Sequence, residues 1–83
     1  MNANKTVIVT GASSGIGFAI AQAYLERGYN VVGNARSQER LESAAQKLGN
    51  PSNFLLVAGD IALPATAAAL FERAIAAFGK VDI

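Results

Sequence analysis

Short continuous apolar runs alternate along this chain with stretches in which apolar residues recur at helical spacing. The continuous runs predict strands at 6–10, 30–35 and 54–58, since strands of a parallel sheet that is covered on both faces read in this way. The helical spacing predicts three helices, from Ser14 or Gly15 to Arg27, from Ser37 as N-cap to Leu48, and from Pro64 to Phe78. Each strand is therefore followed by a helix.

The helical stripes also predict which sides of the helices are buried. In the first helix one stripe consists of Ile16, Ala19, Ile20 and Ala23, and a second consists of Phe18, Ala21 and Leu25. We therefore expect this helix to be buried on two sides. The second helix has one narrow apolar face, made by Leu41, Ala44, Ala45 and Leu48. In the third helix the predicted packed face consists of Phe71, Ala74, Ile75 and Phe78.

Alternation of strand and helix indicates an α/β fold with a parallel sheet. Right-handed crossovers place the first two helices on one face if the strands lie in the order 3-2-1. In a doubly wound sheet the third helix then crosses to the opposite face, and residues 81–83 begin a fourth strand beside the first. A ligand crevice is expected between the first and fourth strands.

Composition narrows the class of protein. Hydrophobic residues make up 52% of the chain and charged residues only 16%, which is typical of part of a larger buried α/β core. Seven basic and six acidic residues are scattered singly, so we expect no nucleic-acid or membrane partner. The chain has no cysteine and no histidine, and no metal site is predicted. The absence of cysteine makes a cytoplasmic location the simplest expectation, and the start of the chain lacks a signal-peptide core.

The stretch Thr10–Gly17, with the sequence TGASSGIG, joins the first strand to the first helix. Its glycines permit positive φ and leave no Cβ between the backbone and a ligand, while the helix start directs free N–H groups towards an anion. We predict that this loop surrounds a pyrophosphate through Gly11, Ser13, Gly15, Ile16 and Gly17. Ser13 offers its hydroxyl and Ile16 its backbone; Ser14 is either a ligand contact or the N-cap of the helix.

This loop, following a Val/Ile strand, resembles the cofactor loop of the short-chain dehydrogenases/reductases, and the resemblance extends over the whole chain. It implies that residues 1–83 form the N-terminal, dinucleotide-binding part of a Rossmann-type doubly wound sheet, with three strands, three helices and the start of a fourth strand. The catalytic Ser, Tyr and Lys of such enzymes would come later in the sequence. The chain thus contains no predicted catalytic residue.

The end of the second strand predicts which nucleotide is bound. An Asp or Glu about 20 residues beyond the loop binds the ribose 2′-hydroxyl of NAD, but this chain has Asn34 and Ala35 there, followed by Arg36 and Ser37. Arg36 can instead hold the 2′-phosphate of NADP, and in the resembling family this pattern is the NADP-preferring type, with Ser37 as a second phosphate donor. The alternative is a solvated arginine beside a helix start.

Asp60 and Ile61 follow the third strand. The resemblance implies that an Asp at this place accepts a hydrogen bond from the adenine amino group and that the next residue adds a backbone contact. From its position alone, an Asp that ends a strand before a helix is more often a cap or turn former, and this is the alternative for Asp60. Tyr24 and Tyr29 are interpreted as packing residues.

Two hypotheses about function follow. In the first, the chain is the NADP(H)-binding portion of a short-chain oxidoreductase that acts on a carbonyl or an alcohol, and it is inactive on its own. In the second, it is a free-standing nucleotide-binding or self-association module without redox activity. The first strand is expected to be an exposed sheet edge, which favours a homo-oligomer.

Overall fold

A computed structural model of the protein describes residues 5–83. Residues 1–4, where the sequence predicts no signal-peptide core, lie outside the described part. The elements alternate in the order β1 (Thr6–Thr10), α1 (Gly15–Glu26), β2 (Asn30–Ala35), α2 (Gln38–Lys47), β3 (Phe54–Ala58) and α3 (Pro64–Phe78). The predicted strand bounds are confirmed at every residue, and the helix bounds to within one residue.

The three strands form one parallel sheet with β2 in the centre. Thr6 of β1 lies opposite Asn30 of β2, and Val31 of β2 lies opposite Phe54 of β3. All three strands therefore end at the same edge of the sheet. The loops that follow them, before α1, α2 and α3, meet at this edge.

Helices cover both faces of the sheet, and two apolar cores result. Side chains that alternate along the strands divide between them: Val7 and Val9 pack into the core under α1 and α2, whereas Ile8 packs into the core under α3. The predicted strand order, and the placement of α3 on the opposite face, are confirmed. The fold is a Rossmann-type α/β sheet.

The prediction that α1 is buried on two sides is wrong in this structure. On the side of the helix that carries Phe18, Ala21 and Leu25, Ala21 is completely buried and Leu25 packs against the core. The other stripe faces outward, with Ile16 81% and Ile20 41% exposed. A single sheet face can cover only one side of a helix, and nothing within residues 5–83 covers the second side.

The predicted packed face of α3 is also wrong in part. Thr66, Leu70 and Ala74 are buried against the sheet, whereas Phe71 and Ile75 are 54% and 51% exposed. The helix is alanine-rich and apolar on several sides, so spacing alone did not select the buried side. One residue along a helix turns the side chain by about 100°, which places Phe71 and Ile75 beside the contact and not in it.

Residues 81–83 pair with the outer side of β1, as predicted for the start of a fourth strand. Ile8 N donates to Ile83 O at 2.9 Å, and Asp82 N donates to Thr6 O at 2.9 Å. The Asp82 carboxylate accepts a hydrogen bond from Thr6 N at 2.8 Å, and this bond holds the pKa of Asp82 below its usual value of 3.8. The expectation that β1 is an exposed edge is therefore wrong for Thr6 and Ile8.

Candidate functional site

The loop between β1 and α1 lies at the carboxyl edge of the sheet. Gly11 and Gly15 have φ values of 66° and 59°, which side chains other than glycine rarely adopt. Ala12 N donates to Asn34 O at 2.9 Å, so the loop is tied to the end of β2. The shape of the loop therefore depends on its glycines. Its backbone lies at the edge of the sheet where the strands end.

Gly17 allows the first turn of α1 to approach this loop closely. A Cβ added at Gly17 would overlap the carbonyl oxygen of Gly11 and lie 3.1 Å from the carbonyl oxygen of Thr10. Any other residue would push the helix away from the loop. The glycines thus have two different roles, since Gly11 and Gly15 set backbone direction while Gly17 sets the distance between helix and strand.

Ser14 is the N-cap of α1, with extended backbone angles, but its side chain makes no capping hydrogen bond. The N-cap alternative is therefore confirmed for its backbone and not for its hydroxyl. The first N–H groups of α1 have no capping side chain, and these are the groups that bind anions at helix N-termini. The first turn of α1 offers unpaired donors at the edge of the sheet.

An open groove of about 690 Å³ runs along the same edge, over the ends of β2 and β3. Of the predicted site residues, the groove is lined by Gly11, Ser13, Arg36, Ser37, Asp60 and Ile61. Ser14, Gly15, Ile16 and Gly17 do not line it and belong to the start of α1. The structure therefore brings residues that are far apart in the sequence, from the three loops, into one continuous surface.

Arg36 and Asp60 face each other across this groove. Arg36 Nη2 lies 3.4 Å from Asp60 Oδ2, and the two side chains are 81% and 36% exposed. An ion pair this exposed contributes at most about 1 kcal/mol to stability, so a stronger anion can displace it. Asp60 Oδ1 also accepts a hydrogen bond from Ala62 N at 2.9 Å. The turn-forming role weighed for Asp60 is thus present, and its other oxygen remains at the rim of the groove.

Ser37 is the N-cap of α2, and its Oγ accepts a hydrogen bond from Arg40 N at 3.2 Å. A hydroxyl that accepts one hydrogen bond still has its own proton to donate. Ser37 can therefore cap the helix and donate to a ligand at the same time. The capping prediction is confirmed.

Asn34 occupies the position where a ribose-binding carboxylate would lie, and its side chain is buried. It is 2% exposed, and its Nδ2 donates to Val57 O at 3.0 Å and to Gly59 O at 3.1 Å. This amide ties the end of β2 to the end of β3. Asn34 is consequently a structural residue of the site, and the end of β2 presents no carboxylate.

Two residues of the site were missed by the sequence reasoning. Arg40 lines the groove, and the available signal was its position three residues after a predicted N-cap, which places it in the first turn of α2. Asn34 was considered only as the absence of an acid. A polar residue within an otherwise apolar strand was the signal for a buried hydrogen-bonding role.

The remaining observations concern the two tyrosines, the lengths of the helices and the spacing of the carboxylates. Tyr24 and Tyr29 pack against the core with ring centroids 4.9 Å apart, as the sequence predicted. No helix within residues 5–83 combines the length and the apolar character needed to cross a membrane. Across the same residues, no three carboxylate side chains lie close enough together to hold a metal ion.

Comparison with known proteins places this geometry in a family. A model of the family described as short chain dehydrogenase matches residues 5–83. The chain belongs to this family. The first-strand loop, the parallel sheet and the helices on both faces are thus those of a short-chain dehydrogenase.

Three similar proteins illustrate the match. The short chain dehydrogenase/reductase dpmpG of Macrophomina phaseolina is 42% identical over 83 residues, which cover 98% of this chain and 47% of that protein. L-sorbose reductase from Gluconobacter frateurii, solved with NADPH and L-sorbose, is 38% identical with a TM-score of 0.86; the match covers 96% of this chain and 31% of that one. The 3-ketoacyl-(acyl-carrier-protein) reductase of Brucella melitensis, solved with NADH, is 36% identical with a TM-score of 0.85, covering 94% and 31%.

The matches also give the share of each relative that the chain covers and the cofactors bound in the two solved complexes. The chain spans half or less of the length of these three relatives. The two solved complexes also show that proteins of this family bind either nicotinamide cofactor on this fold.

Proposed function

We propose that this chain forms the adenosine-phosphate half of an NADP(H) site in a short-chain oxidoreductase that reduces a carbonyl or oxidises an alcohol. The observation that carries the proposal is the single groove in which Arg36 and Ser37 lie beside Gly11 and Ser13. One surface therefore offers donors for two phosphate groups. Their positions at the ends of adjacent parallel strands are those where nucleotides bind in open α/β sheets.

The pyrophosphate is assigned to the loop and the first turn of α1. Gly11, Gly15, Ile16 and Gly17 contribute backbone only, while Ser13 and Ser14 add hydroxyl groups. The absence of a capping side chain at Ser14 leaves the first N–H groups of the helix available. A diphosphate at this place gains hydrogen bonds and the favourable end of the helix dipole together.

The 2′-phosphate is assigned to Arg36 and Ser37. Hydrogen bonds to charged groups contribute roughly 1.5 to 3 kcal/mol each, which is about ten- to 150-fold in affinity. NADH lacks this phosphate and gains no such bond. A carboxylate at the end of β2 would repel the phosphate, but Asn34 is neutral and its amide is engaged with β3.

The adenine ring is assigned to the rim formed by Asp60 and Ile61. Asp60 keeps one oxygen for Ala62 N and holds the other at the groove, where an exocyclic amino group can donate to it. Ile61 is 47% exposed and offers apolar surface beside its backbone. The chain thus binds and orients the nucleotide, and the bound nicotinamide supplies hydride transfer. Residues 1–83 alone are proposed to have no turnover.

Titration with NADPH and NADH tests this function. We expect residues 1–83 to bind NADPH at least about tenfold more tightly than NADH, and Arg36→Gln to remove most of that preference. Arg27→Gln is the control, since Arg27 ends α1 away from the groove and its loss changes net charge equally. Equal binding of both nucleotides would disprove the NADP assignment, and binding of neither would disprove the nucleotide site.

A second candidate function, a self-association module, is favoured by the exposed apolar faces. Ile16 and Ile20 project from α1, and Phe71 and Ile75 from α3 on the opposite side of the sheet. We propose that the isolated chain forms dimers or larger assemblies through these faces, because exposed patches of large apolar residues favour contact. Sedimentation at micromolar concentration should show assembly that weakens in Ile20→Asp or Ile75→Asp; a sharp monomer would contradict it. Assembly without nucleotide binding would favour this candidate over the first.

A further inference from the structure

We propose that Arg40 is a second phosphate-binding cation of the groove and supplies its uncompensated positive charge. The inference rests on the proposed NADP(H) site and adds to it a residue that determines specificity. The class of ligand is an adenosine nucleotide with a 2′-phosphate.

The position of Arg40 is fixed by the start of α2. Its backbone N–H donates to Ser37 Oγ at 3.2 Å, which places it in the first turn of the helix. Arg40 is one of the residues that line the groove, together with Arg36 and Ser37. Three residues with donor side chains, all from one short segment, therefore border the same groove, and two of them carry a permanent positive charge.

The charges that line the groove do not balance. They are Arg36, Arg40 and Asp60, and Arg36 is paired with Asp60 at 3.4 Å. Within residues 5–83, Arg40 has no carboxylate oxygen within ion-pair distance. The nearest acids along α2 lie outside the groove lining, and Glu42 is hydrogen-bonded to Gln38 at 3.1 Å. The surplus charge of the groove is therefore that of Arg40.

Because Arg36 is paired and Arg40, in the described part of the chain, is not, the preference for a 2′-phosphate is expected to depend on both arginines and not on Arg36 alone. A 2′-phosphate that contacts Arg36 alone competes with Asp60 for the guanidinium and gains less than an unpaired arginine would give. A phosphate between Arg36 and Arg40 meets one cation that is already unpaired. Charge-assisted hydrogen bonds to the two arginines and to the Ser37 hydroxyl can then form around one phosphate.

Two small probes isolate this contact, because adenosine 2′,5′-bisphosphate differs from AMP only by the 2′-phosphate. Binding of each to residues 1–83 is measured by NMR titration, up to millimolar probe. We expect Arg40→Gln to weaken bisphosphate binding about tenfold and to leave AMP binding nearly unchanged. Arg40→Lys should restore part of the loss, since it keeps the charge without the planar donor group.

Arg73→Gln is the matched control, as it removes the same charge from an exposed position on α3. It should leave the affinity for both probes unchanged. Thermal unfolding of each variant shows whether the fold is kept, and a purely structural role of Arg40 would weaken both probes together.

Asp60→Asn tests the premise that Asp60 competes with the 2′-phosphate for Arg36. Asparagine keeps an oxygen for Ala62 N but removes the charge that pairs with Arg36. We expect the preference for bisphosphate over AMP to increase several-fold, because an exposed ion pair contributes at most about 1 kcal/mol.

The possible outcomes separate the two proposals. If wild type prefers the bisphosphate and Arg40→Gln behaves like Arg73→Gln, the role of Arg40 is disproved and the NADP(H) site stands. If wild type binds the two probes equally or binds neither, the proposed function fails, and the inference fails with it.

Discussion

The candidate site has two halves that are built in different ways. Around Gly11–Gly17 the surface consists of backbone, and its shape depends on φ angles and on the close approach of Gly17 to Gly11. Over the ends of β2 and β3 it consists of exposed side chains, with Arg36 81% accessible. The glycines of the first half cannot be replaced without altering the fold, whereas the charged side chains of the second can be changed one by one.

This difference separates two functions of the site. In the proposed site, the backbone loop is assigned to the pyrophosphate, which all nicotinamide dinucleotides share. The exposed charged side chains are assigned to the 2′-phosphate, which distinguishes NADP from NAD. We therefore expect glycine substitutions in the first half to lose stability and substitutions of the charged side chains in the second half to lose selectivity.

The largest effect is expected at Gly17. Alanine is preferred to glycine in a helix by about 1 kcal/mol, so Gly17→Ala would stabilise the protein if the close approach did not matter. We expect the opposite, a loss of about 1 to 3 kcal/mol in the free energy of unfolding or failure to fold, because the added methyl overlaps the Gly11 carbonyl. Urea unfolding measures the change. Ala19→Gly, at an exposed position of the same helix, should cost about 1 kcal/mol; a stabilised Gly17→Ala would contradict the role assigned to this half.

The two N-cap serines provide a smaller and matched comparison. Ser37 Oγ accepts from Arg40 N, whereas the Ser14 hydroxyl makes no capping bond. Ser37→Ala should therefore cost about 1 kcal/mol of unfolding free energy, and Ser14→Ala close to none. Ser37→Ala should also reduce the preference for NADPH, because a phosphate donor is lost. Equal destabilisation by the two variants would show that the described capping difference has no energetic consequence.

The smallest effect concerns Asp82, a side-chain charge that acts on the fold and lies outside the groove. Its pKa is lowered in the folded state, chiefly by the hydrogen bond from Thr6 N. Its stabilising contribution is therefore present above the unfolded pKa and is lost as the pH falls through the lower folded value. Unfolding measured between pH 6 and pH 2 should show a shallower decline for Asp82→Asn than for wild type. Parallel curves would show that this carboxylate does not stabilise the edge pairing.

The local sequence pattern was sufficient to predict an element and its buried side where the element has only one apolar run or one apolar face. The strands of this chain are short β-branched and apolar runs, and α2 has a single apolar face, so their bounds and the burial of Leu41, Ala44 and Ala45 follow from spacing alone. The glycine loop was equally readable, because its spacing between a strand and a helix has few other uses. These features depend on neighbours close in sequence.

Where several faces were apolar, spacing did not decide. α1 carries two apolar stripes and α3 is alanine-rich all round, so the buried side of each was selected by the sheet, which covered Ala21 and Leu70 and left Ile16 and Phe71 outside. The choice required the strands to be in place first. Which face of such a helix is buried depends on the surface against which the helix packs.

The sequence by itself determined the α/β alternation, the glycine loop between β1 and α1, and the neutral end of β2 followed by Arg36, because each depends on residues adjacent in the chain. Only the tertiary structure decided that Asn34 turns inward to β3, that Asp60 partly neutralises Arg36, and that Arg40 shares their groove. Those contacts join segments more than twenty residues apart or depend on the direction of a side chain. Parallel strands bring such segments together at one edge of the sheet. A pattern among neighbouring residues does not show which distant segments meet there.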